Sequence, residues 1–502
     1  MSAFRRLLQQ PLLFLTLLAT LGCSGGISLT HYNTVDQRLR QGRFLSIAEQ
    51  STQDAAEIYG ANNRLVYHLD MVMLDHLAGR FGSSNQHCAT AEKIGEDLFT
   101  RSLGAEVGSL FTSDLDIPYR GEDSERVMVH LVGALNWAVI GDPMEALVEI
   151  RKVNYRLREL REGYGDGSYR EDPFAGYLGA LLYAEMGEYA DAVVSARQAL
   201  AAYGNPKTSF GVATPYGLQM LASELGATTG DGELFGVSLP PPPPPPNPDE
   251  GEVVVVHMVG PGPRKKERIF QISLGEGMVF VHQAEMNTQD QKDSQRTLSA
   301  ATWMASATQV VVAYPVFSQP REAAAGAQVS LRGCGAAVEE ELVEDVSAIA
   351  KANLEDRVAR DRVRMVARAV LKFLAAQTAG AVGEKASGEK WVGLLTRLVT
   401  QAALSATEAA DTRSWRTLPS KIYLSRFRCP AGVYEVELKL LGTNGYRGFS
   451  SAEVFVPSED YDGPQVQGDG AGYGWVDEGG RVLVPQVRVV PRNRTWLSVG
   501  TW

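Results

Sequence analysis

Between Tyr32 and Leu225, apolar residues recur at three- and four-residue intervals, the period that gives a helix one buried face. Glycine-led triplets interrupt the pattern at four points. Gly42-Arg43-Phe44 precedes Ala48, and Gly79-Arg80-Phe81 follows the apolar run through Met71, Leu74 and Leu77. Gly141-Asp142-Pro143 precedes Ala146, and Gly187-Glu188-Tyr189 precedes Ala192, Ala196 and Ala199. Each glycine falls where one helix turns into the next, a place that commonly needs positive φ. The stretch from Glu162 to Ser168, rich in glycine, predicts a surface loop.

The period changes after the run Pro240 to Pro246. Glu252 to His257, Arg268 to Ile272, Met278 to Val281 and Gln309 to Tyr314 are short, β-branched or aromatic runs, which predict strands. A helical pattern returns from Val338 to Thr378, with Leu342, Val346, Ile349, Leu354 and Val358 on its apolar face, and again from Lys390 to Glu408. Strands resume at Ile422 to Leu424, Val433 to Leu441, Ala452 to Val456 and Val482 to Val490.

The spacing of Ala180, Tyr183, Gly187, Ala192, Ala196 and Ala199 is that of a tetratricopeptide repeat, with small residues where helices touch and a large one where they need filling. Ala134, Trp137, Gly141 and Ala146 repeat it. The glycines stand 37, 62 and 46 residues apart, so a divergent superhelix is expected, not a regular array. The predicted fold is α+β and multidomain. Residues 32–239 form a TPR-like α-helical superhelix and 240–250 a polyproline linker. Residues 251–337 and 411–502 form two parts of one β-rich, sandwich-like domain, with a helical insertion at 338–410 and a flexible Gly/Tyr-rich segment from Asp460 to Trp475. Consecutive prolines lack amide donors and lock φ, which makes the run a stiff spacer between separable halves. A proline run can also be a ligand for aromatic grooves.

The N-terminus carries a different signal. Arg5 and Arg6 precede an apolar core from Leu12 to Leu21, followed by Gly22-Cys23. Positive charge, a short apolar core and small residues are the order of a signal peptide, and the core is too short to span a bilayer of about 30 Å. Gly22-Cys23 resembles the lipobox of bacterial lipoproteins. That resemblance implies removal of residues 1–22, lipidation (palmitate among the acyl chains) of Cys23, and a short tether over 23–31. Ser24 after the cysteine implies the outer over the inner membrane; the periplasmic face is the favoured orientation, with surface exposure left open. No later segment reaches 18 uninterrupted apolar residues. The chain carries −11, and −13 once Arg5 and Arg6 are removed, which argues against nucleic acid as a partner and against a non-specific grip on anionic lipid.

Candidate chemistry is sparse. Zinc-protease, nucleophile-elbow, Walker and dinucleotide signatures are absent, so no catalytic residue, cofactor or metal is expected. His68 and His76, eight residues apart, would lie about 12 Å apart along one helix, too far to share a metal. Cys88 follows His87 without a further ligand at suitable spacing and reads as a helix residue. Cys334 and Cys429 can pair, but spacing does not show whether they approach.

Arg357, Arg360, Arg364 and Arg368 form one stripe on a helix. It reads either as a solvated face paired with Glu339, Glu340, Glu341 and Glu344, or as a contact for an acidic partner or lipid headgroups. The stretch from Asp411 to Pro419 is the most distinctive short motif. Asp411 can bond a backbone donor, Arg413 can pair with Asp411, Trp415 can pack over a helix–sheet joint, and Pro419 stops the helix.

The lipobox, the divergent repeat half, the strand Val253 to His257 and the Asp411–Pro419 stretch together resemble an uncharacterised family of bacterial tetratricopeptide-type envelope lipoproteins. That resemblance implies no activity. The favoured function is a non-enzymatic, lipid-anchored scaffold that binds envelope proteins through the inner face of its superhelix. Peptidoglycan contact and oligomer contact are further options. One alternative is a subunit of an export or surface-assembly machine. The other is a glycan or peptidoglycan hydrolase, which would need paired carboxylates across a cleft.

Overall fold

The computed structural model describes residues 27, 29–102, 117–164, 169–230, 235–275, 278–284, 309–318, 326–335, 337–361, 385, 410–441, 453–455, 471–473, 475–476, 481–489 and 494–501. Cys23 and its leader, Arg364, Arg368, the expected helix at 390–408 and most of the Gly/Tyr-rich segment lie outside them.

The helical half opens with α1 (Leu29–Arg40), α2 (Phe44–Gln53) and the short α3 (Ala55–Ile58). Three antiparallel pairs follow: α4 (Arg64–Leu77) with α5 (Phe81–Ser102), α6 (Asp123–Ile140) with α7 (Pro143–Tyr164), and α8 (Pro173–Glu185) with α9 (Tyr189–Gly204). The helix α10 (Tyr216–Thr229) packs on α9. Local signals explain the ends. Glu122 and Glu125 form a reciprocal capping box on α6, and Gly141 closes that helix in the left-handed region at φ 88°. Asp172 caps α8 by accepting from Ala175 N at 2.8 Å, with Pro173 in the first turn. The repeat-type small residues lie at the helix contacts: Ala192 and Ala196 are fully buried, and a Cβ on Gly176 would stand 3.2 Å from Ala199 Cβ.

The β half holds β1 (Glu250–Pro261), β2 (Arg264–Gly275), β3 (Met278–Ala284), β4 (Gln309–Ser318), β5 (Ala327–Arg332), β6 (Ala337–Glu339) and β7 (Glu341–Glu344). After the insertion come β8 (Pro419–Pro430), β9 (Gly432–Leu440), β10 (Glu453–Phe455), β11 (Ala471–Tyr473), β12 (Trp475–Val476), β13 (Arg481–Val489) and β14 (Arg494–Thr501). One sheet runs β11-β10-β14-β1-β8-β7, a second β12-β13-β9-β5-β6, and a third is β3-β2-β4. In the first sheet β1 pairs parallel with β14 and antiparallel with β8. Cys334 and Cys429 form a disulfide with Cα atoms 5.7 Å apart, fastening the chain just after β5 to β8 of the first sheet.

Strand alternation divides the first sheet between two cores. Val254, Val256 and Met258 of β1, Ile422 and Leu424 of β8, and Trp496 of β14 join the core of the helical half. Val253, Val255, Phe427, Leu497 and Val499 point the other way and pack with Val329, Leu331, Val436 and Leu438 of the second sheet. The order of layers is outer helices, inner helices, first sheet, second sheet.

The helical insertion begins at 346, not at Val338, and is described to 361 as α11. Residues 337–339 are a strand because they pair with Gln328 to Ser330 of β5, and 341–344 because Glu341 and Leu342 pair with Leu424 and Tyr423 of β8. The proline run connects halves that share one core, which removes the basis for expecting two separable units.

Candidate functional site at the joint between helices and sheet

The helices that meet the sheet are α4, α6, α8 and α10, the first member of each pair and its successor. His76 on α4 stands 2.7 Å from Ser498 Oγ on β14 and 2.6 Å from Asn136 Oδ1 on α6. Trp496 Nε1 on β14 donates to Glu185 of α8 at 3.0 Å. Tyr216 N and Gly217 N, at the start of α10, donate to the Glu341 carboxylate of β7 at 2.5 and 2.7 Å. In a tetratricopeptide-like stack these first helices line the inner face. That face is therefore filled by the chain's own sheet. The expectation that it receives a partner is corrected by this packing.

The Asp411–Pro419 segment threads into the same joint. Arg413 is almost fully buried and donates to both Asp411 oxygens at 2.8 Å. Its third nitrogen reaches Asn63 Oδ1 at 3.2 Å and Ile117 O at 3.0 Å, and its guanidinium lies 5.3 Å from the centre of the Tyr119 ring. Among the described residues Trp415 is the largest fully buried side chain, at 1 % exposure. Its amide donates to Glu125 of α6 at 2.6 Å, and its Nε1 donates to Thr417 at 3.1 Å. Thr417 in turn donates to Asp70 of α4 at 3.0 Å. Trp415, Met128 of α6, and Val346 and Ile349 of α11 line one small cavity. Pro419 opens β8 opposite Pro261.

Two acids on α6 face this segment. Glu122 receives Lys265 of β2 and Arg357 of α11. Burial alone would raise its carboxyl, but those two cations hold it below its ordinary range. Glu125 accepts from Tyr119 at 2.7 Å, and its burial pushes its carboxyl up. Asp70 accepts from Tyr59 at 3.0 Å and Tyr32 at 3.4 Å, and burial raises it to about 7. A second cluster lies farther along the sheet. Glu252 sits between Arg426 and Arg494 at 2.6 Å each, all three on the helix-facing side. Burial opposes ionisation of Glu252, yet the two guanidinia pull it down to about 2.

The two described arginines of the stripe, Arg357 and Arg360, meet partners within their own chain. Arg357 binds Glu122 at 2.7 Å and Arg360 stands 3.6 Å from Asp123. The expected acidic partners are engaged elsewhere: Glu340 with His257 at 2.8 Å, and Glu341 with the start of α10. Pairing with α6 replaces the expected local pairing, because α11 lies against the helical half.

Sequence reasoning missed the carboxylates of α4 and α6 as the counterpart of the Asp411–Pro419 motif. One signal was present. The stretch Pro173–Glu185 has no polar face, and nine of its residues from Pro173 to Leu182 are buried. A helix that is apolar all round is covered on both sides. Sequence reasoning weighed His68 and His87 separately and did not pair them, yet their Nδ1 atoms stand 2.9 Å apart. Among the described residues no group of three or more His, Cys, Asp or Glu side chains is arranged to hold a metal ion. No described helix is long and apolar enough to cross a membrane.

Buried charges that bond one another and enclose a tryptophan make a fastener.

No family model matches this chain, and no curated protein matches it. Among solved structures, the Rap conjugation gene regulator of the plasmid pLS20, in complex with the Phr* peptide, is similar over 40 % of this chain at 15 % identity, with a TM-score of 0.25. The match spans about half of that protein, 48 %.

Proposed function

We propose that this chain is a non-enzymatic envelope scaffold, anchored by lipid at Cys23, that binds protein partners on the outer face of its helical half. One observation carries this reading. The inner face is filled by the chain's own sheet, while the outer helices α5, α7 and α9 carry exposed Phe99, Met144, Tyr155, Tyr189 and Val194. Large apolar side chains exposed on these helices support a surface for protein association, with Tyr216 at the start of α10 exposed as well. The carboxylates Asp172 and Glu344 are both buried between α8 and β7, which supports a structural use over a hydrolytic pair. The N-terminal order of charge, apolar core and Gly22-Cys23 supports the anchor.

The test is copurification of the full-length chain from detergent-solubilised envelope, compared with Tyr155→Glu and Val194→Glu. A partner should be retained by wild type and lost from both variants at unchanged melting temperature. Equal recovery from all three contradicts the outer-face assignment. Cys23→Ser should move the chain out of the membrane fraction; a variant that fractionates like wild type contradicts the anchor.

A further inference from the structure

The run Pro240 to Pro246 does not perform a spacer's task. The halves it connects share one apolar core and ion pairs to the buried Glu122, from Lys265 and Arg357, so nothing has to be held apart. The run is instead laid along the surface and tied down. Ser223 Oγ on α10 donates to the Pro240 carbonyl at 2.7 Å, and Arg428 Nη1 on β8 donates to the Pro244 carbonyl at 2.9 Å. Arg428 is itself held by Glu224 of α10 at 2.9 Å. After the prolines, Asn247 and Glu250 bond each other, and Ala431 N donates to the Asp249 carbonyl at 2.7 Å.

Seven consecutive prolines leave the backbone little choice. Each ring locks φ, each residue before a proline is driven to extended ψ, and the described peptide bonds are trans. The result is a left-handed polyproline II helix with three residues per turn. Over the first two turns exposure follows that period: Pro240 and Pro243 are half-buried, whereas Pro241, Pro242, Pro244 and Pro245 are exposed, and at the end of the run Pro246 is exposed as well. The outward side therefore presents two parallel ridges, Pro241 with Pro244 and Pro242 with Pro245, each repeating at about 9 Å.

We infer that this strap is a docking surface for a partner protein whose groove is lined by tyrosine and tryptophan rings. Flat aromatic walls accept proline ridges, and a ridge already ordered loses little chain entropy on binding. Asp249, exposed at the C-terminal end of the strap, gives the surface a polarity that a cation beside the groove would read. This surface is separate from the outer helices and stands whether or not they bind a partner.

Two measurements on the full-length protein test it. The first uses a purified WW-type module as probe, titrated against wild type and against the double variant Pro242→Ala, Pro245→Ala. Wild type should bind, and the double variant should bind about tenfold more weakly at unchanged melting temperature. Absence of binding to wild type, or equal binding to both, overturns the proposal. The second places benzoylphenylalanine at position 242 in the lipid-anchored chain and maps its crosslinks in native envelope. A crosslink onto an aromatic-lined groove of another protein, lost when a free polyproline peptide competes, supports the proposal. A crosslink onto a second copy of this chain, onto a non-aromatic surface, or onto no protein overturns it.

Discussion

Replacing Trp415 by alanine should destabilise the whole protein, not one half of it. The indole is 1 % exposed and sits where α6, α11 and the entry to β8 meet. Removing it takes away about 140 Å³ of side chain, and the walls can collapse only partly because Glu125 and Thr417 are held by their own partners, Tyr119 and Asp70. At about 24 cal/mol per Å³ the cavity alone costs about 3 kcal/mol, and the lost transfer energy brings the total to about 4–5 kcal/mol. For a chain of this size, with about 2 cal/mol/K of unfolding entropy per residue, that corresponds to a fall of about 4–5 °C in melting temperature. The assay is urea unfolding followed by circular dichroism and tryptophan fluorescence. Both signals should shift together to lower urea. A sugar-stacking tryptophan would behave in the opposite way, leaving stability unchanged while abolishing binding to isolated sacculi. A change below about 1 kcal/mol, or a stable variant that no longer binds sacculi, refutes the structural assignment.

Three other perturbations follow from the same packing. Ala192→Leu, at a fully buried contact of α9, should cost about 1–3 kcal/mol by overpacking; an unchanged melting temperature would argue against close helix contact there. Stability should vary with pH in two windows. Asp70 is raised from 3.8 to about 7, so its contribution is complete below about 4 and is lost as pH rises through 7. Glu252 is lowered from 4.5 to about 2, so its contribution is complete above about 4.5 and is lost as pH falls through 2. Urea midpoints of Asp70→Asn should be flatter than wild type between pH 4 and 7, and an identical slope would remove Asp70 from the account. Proteolytic cleavage within 240–249 should leave two fragments that stay associated and melt in one transition, because one core spans both; release of two folded monomers would contradict the shared core.

Much of the fold was legible because its elements are locally determined. The four turn glycines, Gly42, Gly79, Gly141 and Gly187, all adopt positive φ, and the alternation along Val253 to His257 divides that strand between two cores. Contacts between distant segments were not legible. Arg357 lies 235 residues from Glu122, and neither residue's neighbours announce the other. The start of the insertion was misplaced because Leu342 and Val346 fit one helical face as well as they fit a strand followed by a helix. The proline run is the expected linker between the helical and β halves, but that the two halves are not separable was not legible, for a related reason. Composition shows that it is stiff, whereas only the shared core shows that it separates nothing.

The central claim is that the sheet fills the inner face of the helical half in the same chain. Native-state hydrogen exchange across a urea series tests it most directly, by comparing amides of α8 (Pro173–Glu185) with those of β14 (Arg494–Thr501). The account predicts one opening free energy and one urea dependence for both segments, since Arg494, Trp496 and Glu185 join them in a single unit. Opening of α8 at lower free energy, with β14 still protected, would contradict it.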